Sequence, residues 1–361
     1  MFGSEHYVSV LRWKRGEHVA LASLEGADRD AITPLVEIPP DDFPPDNPEA
    51  SANLGKRLPR LSAAVEVARG SHRTFVDFGL LGGGVKTPGG REPLTEFFSL
   101  LEGGGSYTVP VTGLTRQPDY QIAARSIAIK ARELALRLTL NDFIRPTPKG
   151  DIDTLLEGHG LVPEEVHLLV DFGLVANAAP SFSHVCARVP ALARWLTFSV
   201  LAGSFPKDLS HLPIGTHLLA RSEWRQWRKQ ALQEKPLPRL PTFGDYTTQH
   251  PIYRIPPPGA NVSASVRYTS EEDWLVMRGE GLRSHGSPGY AQYPAIAALL
   301  CDQKEFRGPD FSSGDLYIWQ VANQEIASTG SPETWLRAGI NHHLVSAIRQ
   351  LSGMVTAIPA P

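Results

Sequence analysis

Seven apolar segments typical of strands follow one another through the first part of the chain, each separated from the next by a stretch with helical character. They lie at Tyr7–Trp13, Ile32–Ile38, Thr74–Leu80, Tyr107–Thr112, Leu134–Leu140, Leu168–Leu174 and Leu196–Leu201. Strict alternation of strand and helix implies parallel strands joined by right-handed crossovers. This pattern limits the fold to an α/β sheet that is either closed or open.

The eighth strand has two candidates, Thr216–Arg221 and Pro241–Asp245. We favour the second, because the helical segment Glu223–Lys229 then serves as the seventh outer helix. Eight such units predict a (β/α)8 TIM-like barrel. A doubly wound open sheet is the alternative, since alternation alone does not distinguish a closed sheet from an open one.

The last third of the chain departs from this alternation. Val262–Val266 and Trp274–Gly279 are predicted to form a β-hairpin, and Tyr293–Cys301 a helix. Glu333–Leu351 carries apolar residues at helical spacing and is predicted to be the last outer helix. We therefore expect a single barrel domain over 1–361, with an insertion (hairpin and helix) at 256–330 between the eighth strand and the final helix.

The overall composition excludes several classes of protein. The net charge of −3 provides no general attraction to nucleic acid, which is disfavoured as a partner. Two distant cysteines, Cys186 and Cys301, suggest neither a disulfide framework nor a zinc site. The chain has no signal-peptide pattern and no apolar run of the roughly 18 residues that would span a membrane. The expected location is the cytoplasm, with no membrane partner.

Several short segments together resemble an uncharacterised family known as "beta protein", which occurs in phages and in bacterial mobile or defence-associated loci. The matching segments are Tyr7–Gly16, Ile32–Pro39, the two Val-Asp-Phe-Gly strands, Gly203–Pro206, Phe243–Tyr246, His250-Pro251, Val266–Thr269 and Asn341–Leu344. The resemblance implies a phage or antiviral defence setting. It implies no catalytic residues, because none is established for the family.

Acidic residues recur at the ends of the predicted strands. Asp77 and Asp171 each end a Val-Asp strand and precede Phe-Gly, and Glu37 and Asp245 end two others. Because active sites of such barrels lie at the C-terminal ends of the strands, we predict these four acids to be catalytic. Converging carboxylates could bind a divalent cation as cofactor or act as general acid and base. The residues predicted to bind an anionic ligand are Lys14, Arg221, Arg267 and Tyr246.

Each of these patterns also has a structural interpretation. Asp77 and Asp171 could simply cap the following turn, a position that aspartate favours. The glycine run Gly82–Gly84 lacks the phosphate-loop pattern, so loop flexibility is its expected meaning. His342 and His343 lie side by side in the last helix and point about 100° apart, which favours a packing role over metal binding.

Two hypotheses from different classes follow. The first is an enzyme that hydrolyses an anionic nucleotide-like or sugar-phosphate ligand at the barrel mouth. The second is a catalytically silent barrel that serves as a sensor or binds a protein partner from the same locus in phage–host conflict. The residues alone do not decide whether the protein is an enzyme.

Overall fold

The computed structural model describes residues 2–40, 49–175, 180–231, 237–255, 257 and 259–355. The described residues form eleven strands: β1 Tyr7–Leu11, β2 Leu35–Glu37, β3 Thr74–Asp77, β4 Thr108–Thr112, β5 Leu134–Thr139, β6 Val166–Leu174, β7 Thr197–Gly203, β8 Gly215–Ala220, β9 Thr242–Asp245, β10 Ser263–Thr269 and β11 Asp273–Gly281. Positions 256 and 258, at the start of the predicted insertion, lie outside the described residues.

The same residues form twelve α-helices: α1 Arg15–Ala22, α2 Gly26–Asp30, α3 Ala50–Arg69, α4 Pro93–Leu101, α5 Pro118–Ala131, α6 Leu140–Phe143, α7 Pro148–His159, α8 Phe182–Cys186, α9 Ser222–Ala231, α10 Tyr293–Cys301, α11 Ser313–Ala322 and α12 Pro332–Val355. Local sequence sets several of their ends. Pro118 and Pro148 open α5 and α7, where the fixed proline φ suits the first helical turn. Gly160 ends α7 in the left-handed conformation.

Eight parallel strands close into a barrel in the order β1-β2-β3-β4-β5-β6-β7-β9. Closure is made by β9, which pairs with β1 (Val8 opposite Gly244) and with β7 (Val200 opposite Phe243). The (β/α)8 prediction is confirmed, including Pro241–Asp245 as the source of the eighth strand. The open-sheet alternative is wrong because the first and last strands pair.

Alternate residues of the barrel strands face opposite sides, as the two-residue period of a strand requires. One set forms a separate apolar cluster that fills the barrel, and includes Val10, Leu35, Phe75, Leu169 and Leu201. The other set joins the outer helices in the largest cluster of the molecule. The parity of a residue along its strand therefore decides whether it reaches the barrel interior.

The predicted hairpin is confirmed as β10 and β11, which pair antiparallel. β8 adds a third strand on the other side of β11, giving the order β10-β11-β8. The segment Thr216–Arg221 is thus largely a strand, but it belongs to this second sheet and not to the barrel. We refer to β8, β10 and β11 as the added sheet.

The last helix separates the barrel from the added sheet. Ile340, Leu344 and Ile348 of α12 pack in the largest cluster, between the barrel strands and the outer helices. Trp335 and Ala338 pack instead with the added sheet, α10 and α11. Two details differ from the sequence predictions. The stretch of helical character predicted before the seventh strand is an α-helix only over Phe182–Cys186, and Pro190 lies where a longer helix would need a backbone N–H donor. The sequence analysis also missed α11.

Candidate functional site

A group of charged side chains, which we call the mouth cluster, fills the C-terminal end of the barrel. On six of the barrel strands, the residue two positions after an inward-facing residue belongs to this cluster. These residues are Arg12 after Val10, Glu37 after Leu35, Asp77 after Phe75, Arg137 after Ala135, Asp171 after Leu169 and Tyr246 after Gly244. Arg116 joins them from the loop after β4. The two-residue period that fills the interior with apolar side chains therefore also aims these groups at one point.

Arg137 lies at the centre of the mouth cluster and contacts three carboxylates. Its Nη1 donates to Glu37 Oε1 at 2.6 Å and to Asp77 Oδ2 at 2.9 Å, and its Nη2 donates to Asp171 Oδ2 at 2.6 Å. Burial favours a neutral Arg137, but Tyr246, Asp171 and Asp77 outweigh this effect and raise its pKa. The guanidinium is thus a fixed positive charge that bridges β2, β3 and β6.

Asp77 is held from two directions. Arg116 Nη2 donates to its Oδ1 at 2.9 Å and its Oδ2 at 2.7 Å, and the Gly79 amide donates to Oδ1 at 2.7 Å. Burial raises the pKa of Asp77, but Arg116 and Arg137 lower it more, so that the net shift is downward. Asp77 is therefore a fixed anion that positions two arginines, and this favours a binding role over proton transfer.

The close approach of Arg116 to the backbone requires a glycine at position 79. A Cβ at Gly79 would lie 1.4 Å from Arg116 Nη1, well inside van der Waals contact. Any side chain there would displace the guanidinium from Asp77. The Asp-Phe-Gly sequence after β3 thus supplies both the carboxylate and the space for its arginine partner.

Tyr246 completes the cluster on the opposite side of the barrel. Its hydroxyl donates to Asp171 Oδ2 at 2.6 Å and accepts from Arg137 Nη2 at 2.9 Å. Arg12 lies over the Tyr246 ring, with its guanidinium carbon 5.1 Å from the ring centre, and forms an ion pair with Glu37. Burial, followed by the charge of Asp171, raises the pKa of Tyr246, so the phenol stays protonated.

A cavity of about 500 Å³ opens above the mouth cluster. The residues that line it include Arg12, Glu37, Asp77, Arg116, Arg137, Thr139, Asp142 and Tyr253. Asp142 lies at the start of α6 and is 3% exposed. Its Oδ2 accepts from the Thr139 amide at 2.7 Å and hydroxyl at 2.9 Å, whereas its Oδ1 has no hydrogen-bond partner among the described residues. A buried carboxylate oxygen of this kind is suited to accept a hydrogen bond from a ligand.

Five of the eight residues predicted from the sequence lie in or beside this site. Glu37, Asp77, Asp171 and Tyr246 belong to the mouth cluster. Lys14 is half-buried at the start of α1, and its Nζ lies 4.9 Å from the centre of the Tyr253 ring at the cavity wall. The expected convergence of strand-end groups on one mouth therefore holds for these five.

Asp245 lies elsewhere, on the outer face of the barrel. It is buried beneath α12, where it accepts from the Tyr7 hydroxyl at 2.5 Å and lies 3.0 Å from His343 Nε2. Its neighbour Tyr246 faces inward, so Asp245 has the opposite parity and faces outward. Burial raises the pKa of Asp245, but His343, Arg221 and Tyr7 stabilise the anion more, and the net shift is downward.

Arg221 is also absent from the mouth cavity. It is fully buried between the barrel and the added sheet, where its Nη1 donates to Ser270 O at 3.1 Å and Gln350 Oε1 at 2.9 Å. Its Nε lies 3.7 Å from Glu223 Oε1. We call the buried group made by Tyr7, Arg221, Glu223, Asp245, Thr269 and His343 the seam cluster.

Arg267 lies on β10 of the added sheet and reaches back to the barrel. Its Nη1 donates to Thr248 O at 2.7 Å, and its guanidinium carbon lies 4.6 Å from the centre of the Phe205 ring. It does not line the mouth cavity. The prediction that Arg221 and Arg267 join the strand-end acids is wrong because both belong to the packing of the added sheet against the barrel.

The two adjacent histidines of α12 make buried hydrogen bonds. His342 lies 2.8 Å from Asp315 Oδ2 through Nδ1, and His343 lies 2.9 Å from Thr269 Oγ1 through Nδ1. The described residues contain no group of three or more histidine, cysteine, aspartate or glutamate side chains arranged to hold a metal ion. Oxygens of Glu37, Asp77 and Asp171 accept instead from arginine, so a divalent cation would have to displace those contacts.

The sequence analysis missed Arg12, Arg116, Arg137 and Asp142. A signal for two of them was present: an arginine at an inward position of a predicted strand, as in Leu134-Ala135-Leu136-Arg137, needs a carboxylate partner inside the barrel. Arg12 follows the inward position Val10 in the same way. Arg116 and Asp142 lie in segments that give no such periodic signal.

The fold and the mouth cluster define an α/β barrel with a polar, arginine- and carboxylate-lined cavity at the C-terminal ends of its strands. A family model extends this assignment: the Beta protein family matches residues 7–349. The chain therefore belongs to the Beta protein family, as the resemblance implied. A search of curated proteins finds no match to it. No helix in the described part of the chain is both long and apolar enough to cross a membrane.

Proposed function

We propose that the protein binds a small anionic, hydroxyl-rich molecule, such as a nucleotide or a sugar phosphate, in the mouth cavity. The observation that carries this proposal is the composition of the cavity wall. It is lined by three arginines, Arg12, Arg116 and Arg137, and by Asp142, whose buried Oδ1 has no partner among the described residues. Guanidinium groups pair with phosphate or carboxylate oxygens, and a carboxylate accepts from sugar hydroxyls.

Arg116 is the best placed contact for the anion. Its side chain is 20% exposed, twice the fraction of Arg137, and both of its hydrogen bonds to Asp77 come from Nη2. Nη1 makes no hydrogen bond to Asp77 and lies against the backbone of Gly79. The volume of the cavity lies in the range of 300–1,000 Å³ typical of small-molecule sites.

The reaction that we propose is hydrolysis of the bound ester. Water attacks the phosphorus, the P–O bond to the leaving group breaks, and Asp142 Oδ1 accepts the proton of the attacking water. The leaving oxygen takes its proton from solvent. This assignment moves the general base from the strand-end acids to Asp142, because Glu37, Asp77 and Asp171 are already paired with arginines.

The same pairing favours a second candidate function. Three strand-end carboxylates paired with arginines form a rigid surface that can bind a ligand without catalysing a reaction. In this alternative the barrel is a catalytically silent sensor that binds its ligand or a protein partner from the same locus in phage–host conflict. The family resemblance supports that setting, and we propose the cytoplasm as its location.

A thermal unfolding screen with AMP, ADP and a ribose phosphate, each with and without Mg²⁺, tests the binding proposal. A ligand at about 100 times its Kd stabilises the folded state by about 2.7 kcal/mol and raises the midpoint of unfolding. We expect such a rise for wild type and for Arg194→Gln, an exposed arginine far from the mouth, and its loss in Arg116→Gln.

A phosphate-release assay on the same ligands separates the two functions. Release by wild type that is abolished in Asp142→Asn, even at ligand concentrations that saturate the variant, supports the hydrolase. Ligand binding without release supports the silent sensor. An equal midpoint shift in wild type and Arg116→Gln, or no shift with any of these ligands, contradicts the proposed site.

A further inference from the structure

A second cavity of about 740 Å³ adjoins the mouth cavity. The two share Gly79, Thr115 and Arg116 in their walls. The remaining wall of the second cavity is formed by Phe78, the glycine run Gly82–Gly84, Lys86, Glu92, Gln117, Pro118, Asp119 and Tyr120. We call it the side cavity. Either cavity alone has the volume of a small-molecule site, and the shared residues make the two cavities neighbours.

Arg116 stands at the boundary between the two cavities. Asp77 holds its Nη2, and the guanidinium carbon lies 5.5 Å from the centre of the buried Tyr120 ring. Gly79 leaves the guanidinium lying directly on the backbone. These contacts fix the arginine so that an anion can approach it from the mouth cavity, the side cavity or both.

The mouth cavity and the side cavity differ in what they offer a ligand. Asp142 lines the mouth cavity, and its buried Oδ1 has no hydrogen-bond partner among the described residues, so it calls for a hydrogen-bond donor such as a hydroxyl. The side cavity contains Lys86, whose Nζ lies 2.8 Å from Glu92 and 2.7 Å from Asp119, and the bare backbone of the glycine run. Lys86 is thus paired with two carboxylates of the same wall, and this polar wall and the open space beside it suit a second, bulkier part of the ligand that offers hydrogen-bonding groups.

We infer that the ligand is a two-part molecule joined by an anionic bridge, such as a diphosphate. A hydroxyl-bearing part lies against Asp142 in the mouth cavity, the bridge lies against Arg116, and the second part extends past Lys86 into the side cavity. This inference rests on the proposed binding of an anionic ligand at the mouth, and it specifies the class of that ligand.

Isothermal titration with two probes tests the inference. Ribose phosphate contains one sugar and one phosphate, whereas ADP-ribose contains two sugar-bearing parts joined by a diphosphate. We expect wild type to bind ADP-ribose at least about 10-fold more tightly than ribose phosphate, because only ADP-ribose reaches both cavities and one charge-assisted contact corresponds to about that factor.

Variants assign the two parts to their cavities. Lys86→Met should raise the Kd for ADP-ribose about 10-fold and change the Kd for ribose phosphate less than about twofold. Asp142→Asn should weaken both probes. Lys130→Met, which removes an exposed lysine outside the two cavities, is the matched control and should leave both Kd values unchanged.

The outcomes separate this inference from the proposed function. Equal affinity for the two probes, or unchanged ADP-ribose affinity in Lys86→Met, overturns the two-part ligand but leaves an anion site at the mouth. Binding of neither probe by wild type overturns both. Selective loss of ADP-ribose affinity in Lys86→Met supports the two-part ligand.

Discussion

The mouth cluster and the seam cluster are built from similar groups and have opposite surroundings. Each is organised around an aspartate that ends a barrel strand: Asp77 in the mouth cluster and Asp245 in the seam cluster. Asp77 follows the inward set of β3, and its arginine partners line an open cavity. Asp245 follows the outward set of β9, and α12 covers it.

The difference shows that a strand-end acid is a candidate for function only when its parity points it into the barrel. In the seam cluster the same chemistry joins two layers of the fold: Asp245 of the barrel contacts His343 of α12, which contacts Thr269 of the added sheet. A position at the end of a strand therefore limits the number of candidate functional residues. The direction in which each side chain points, into the barrel or outward, decides which of them can bind a ligand.

The largest expected effect on stability is that of Arg137→Met. This substitution leaves Glu37, Asp77 and Asp171 buried without their shared counter-ion. Removing one partner of a buried ionic group costs about 3–5 kcal/mol, so we expect the free energy of unfolding to fall by that amount in urea titrations at pH 7. Arg132→Met, at an exposed ion pair, is the control and should change it by less than about 1 kcal/mol. Similar losses in both variants would show that the mouth arginine is not a central ionic bridge.

Asp245→Ala should destabilise the protein by about 3 kcal/mol without weakening ligand binding at the mouth. The Tyr7 hydroxyl and the His343 ring would lose a buried acceptor, which accounts for the cost. Urea unfolding and ligand titration on the same sample measure both effects. If the variant has normal stability but no longer binds ligand, Asp245 belongs to the functional site and not to the seam cluster alone.

The seam cluster should also make stability depend on pH through Glu223. Burial raises the pKa of Glu223 to about 7, against the opposing charge of Arg221. The folded state therefore holds a proton that the unfolded state releases near its ordinary pKa of 4.5. The free energy of unfolding should fall as pH rises from about 4.5 to 7 and then level off.

Glu223→Gln removes this dependence. The variant should be more stable than wild type above pH 7, by about 2–3 kcal/mol, and nearly equal to it below pH 4.5. Urea titrations at a series of pH values measure the difference. A constant difference across the whole range would contradict titration of Glu223 in the folded state.

The smallest expected effect on stability is that of Gly79→Ala. The added methyl would push the partly exposed Arg116 side chain off the backbone, at a cost of about 1 kcal/mol or less. Anion binding should weaken about 10-fold, since the displaced guanidinium no longer points at the boundary of the two cavities. Gly158→Ala in α7, where a Cβ meets no atom within 4 Å, is the control and should leave binding unchanged. If Gly79→Ala binds the anion with wild-type affinity, Arg116 is not the residue that binds it.

The sequence predicted the barrel well because strand and helix periodicity is local. Alternating apolar residues predict each strand, and their order predicts parallel pairing, which the closure through β9 confirms.

The sequence predicted the mouth less well because its contacts are long-range. Arg137 and Glu37 are 100 residues apart, and neither segment alone shows that they meet. Asp245 faces outward and its neighbour Tyr246 faces inward. An eighth strand of four residues is too short to show from the sequence which of its side chains face the barrel interior.

The added sheet shows the same limit. Its hairpin was predicted from the alternation of apolar residues. The pairing of β8 with this hairpin was not predicted, because β8 precedes the eighth barrel strand in the chain. Arg221 and Arg267 were predicted to bind the anionic ligand because they are cations, although neither lies on a barrel strand. Their actual partners come from the packing of the added sheet against the barrel.

The most direct test applies the same substitution at both strand ends. The measurement is the rise in the thermal unfolding midpoint that ADP-ribose causes in Asp77→Asn and in Asp245→Asn. We predict that Asp245→Asn, although less stable, keeps the ligand-induced rise of wild type, whereas Asp77→Asn loses most of it because Arg116 and Arg137 lose their anchor. A rise retained in Asp77→Asn and lost in Asp245→Asn would contradict the assignment of the mouth cluster as the ligand site.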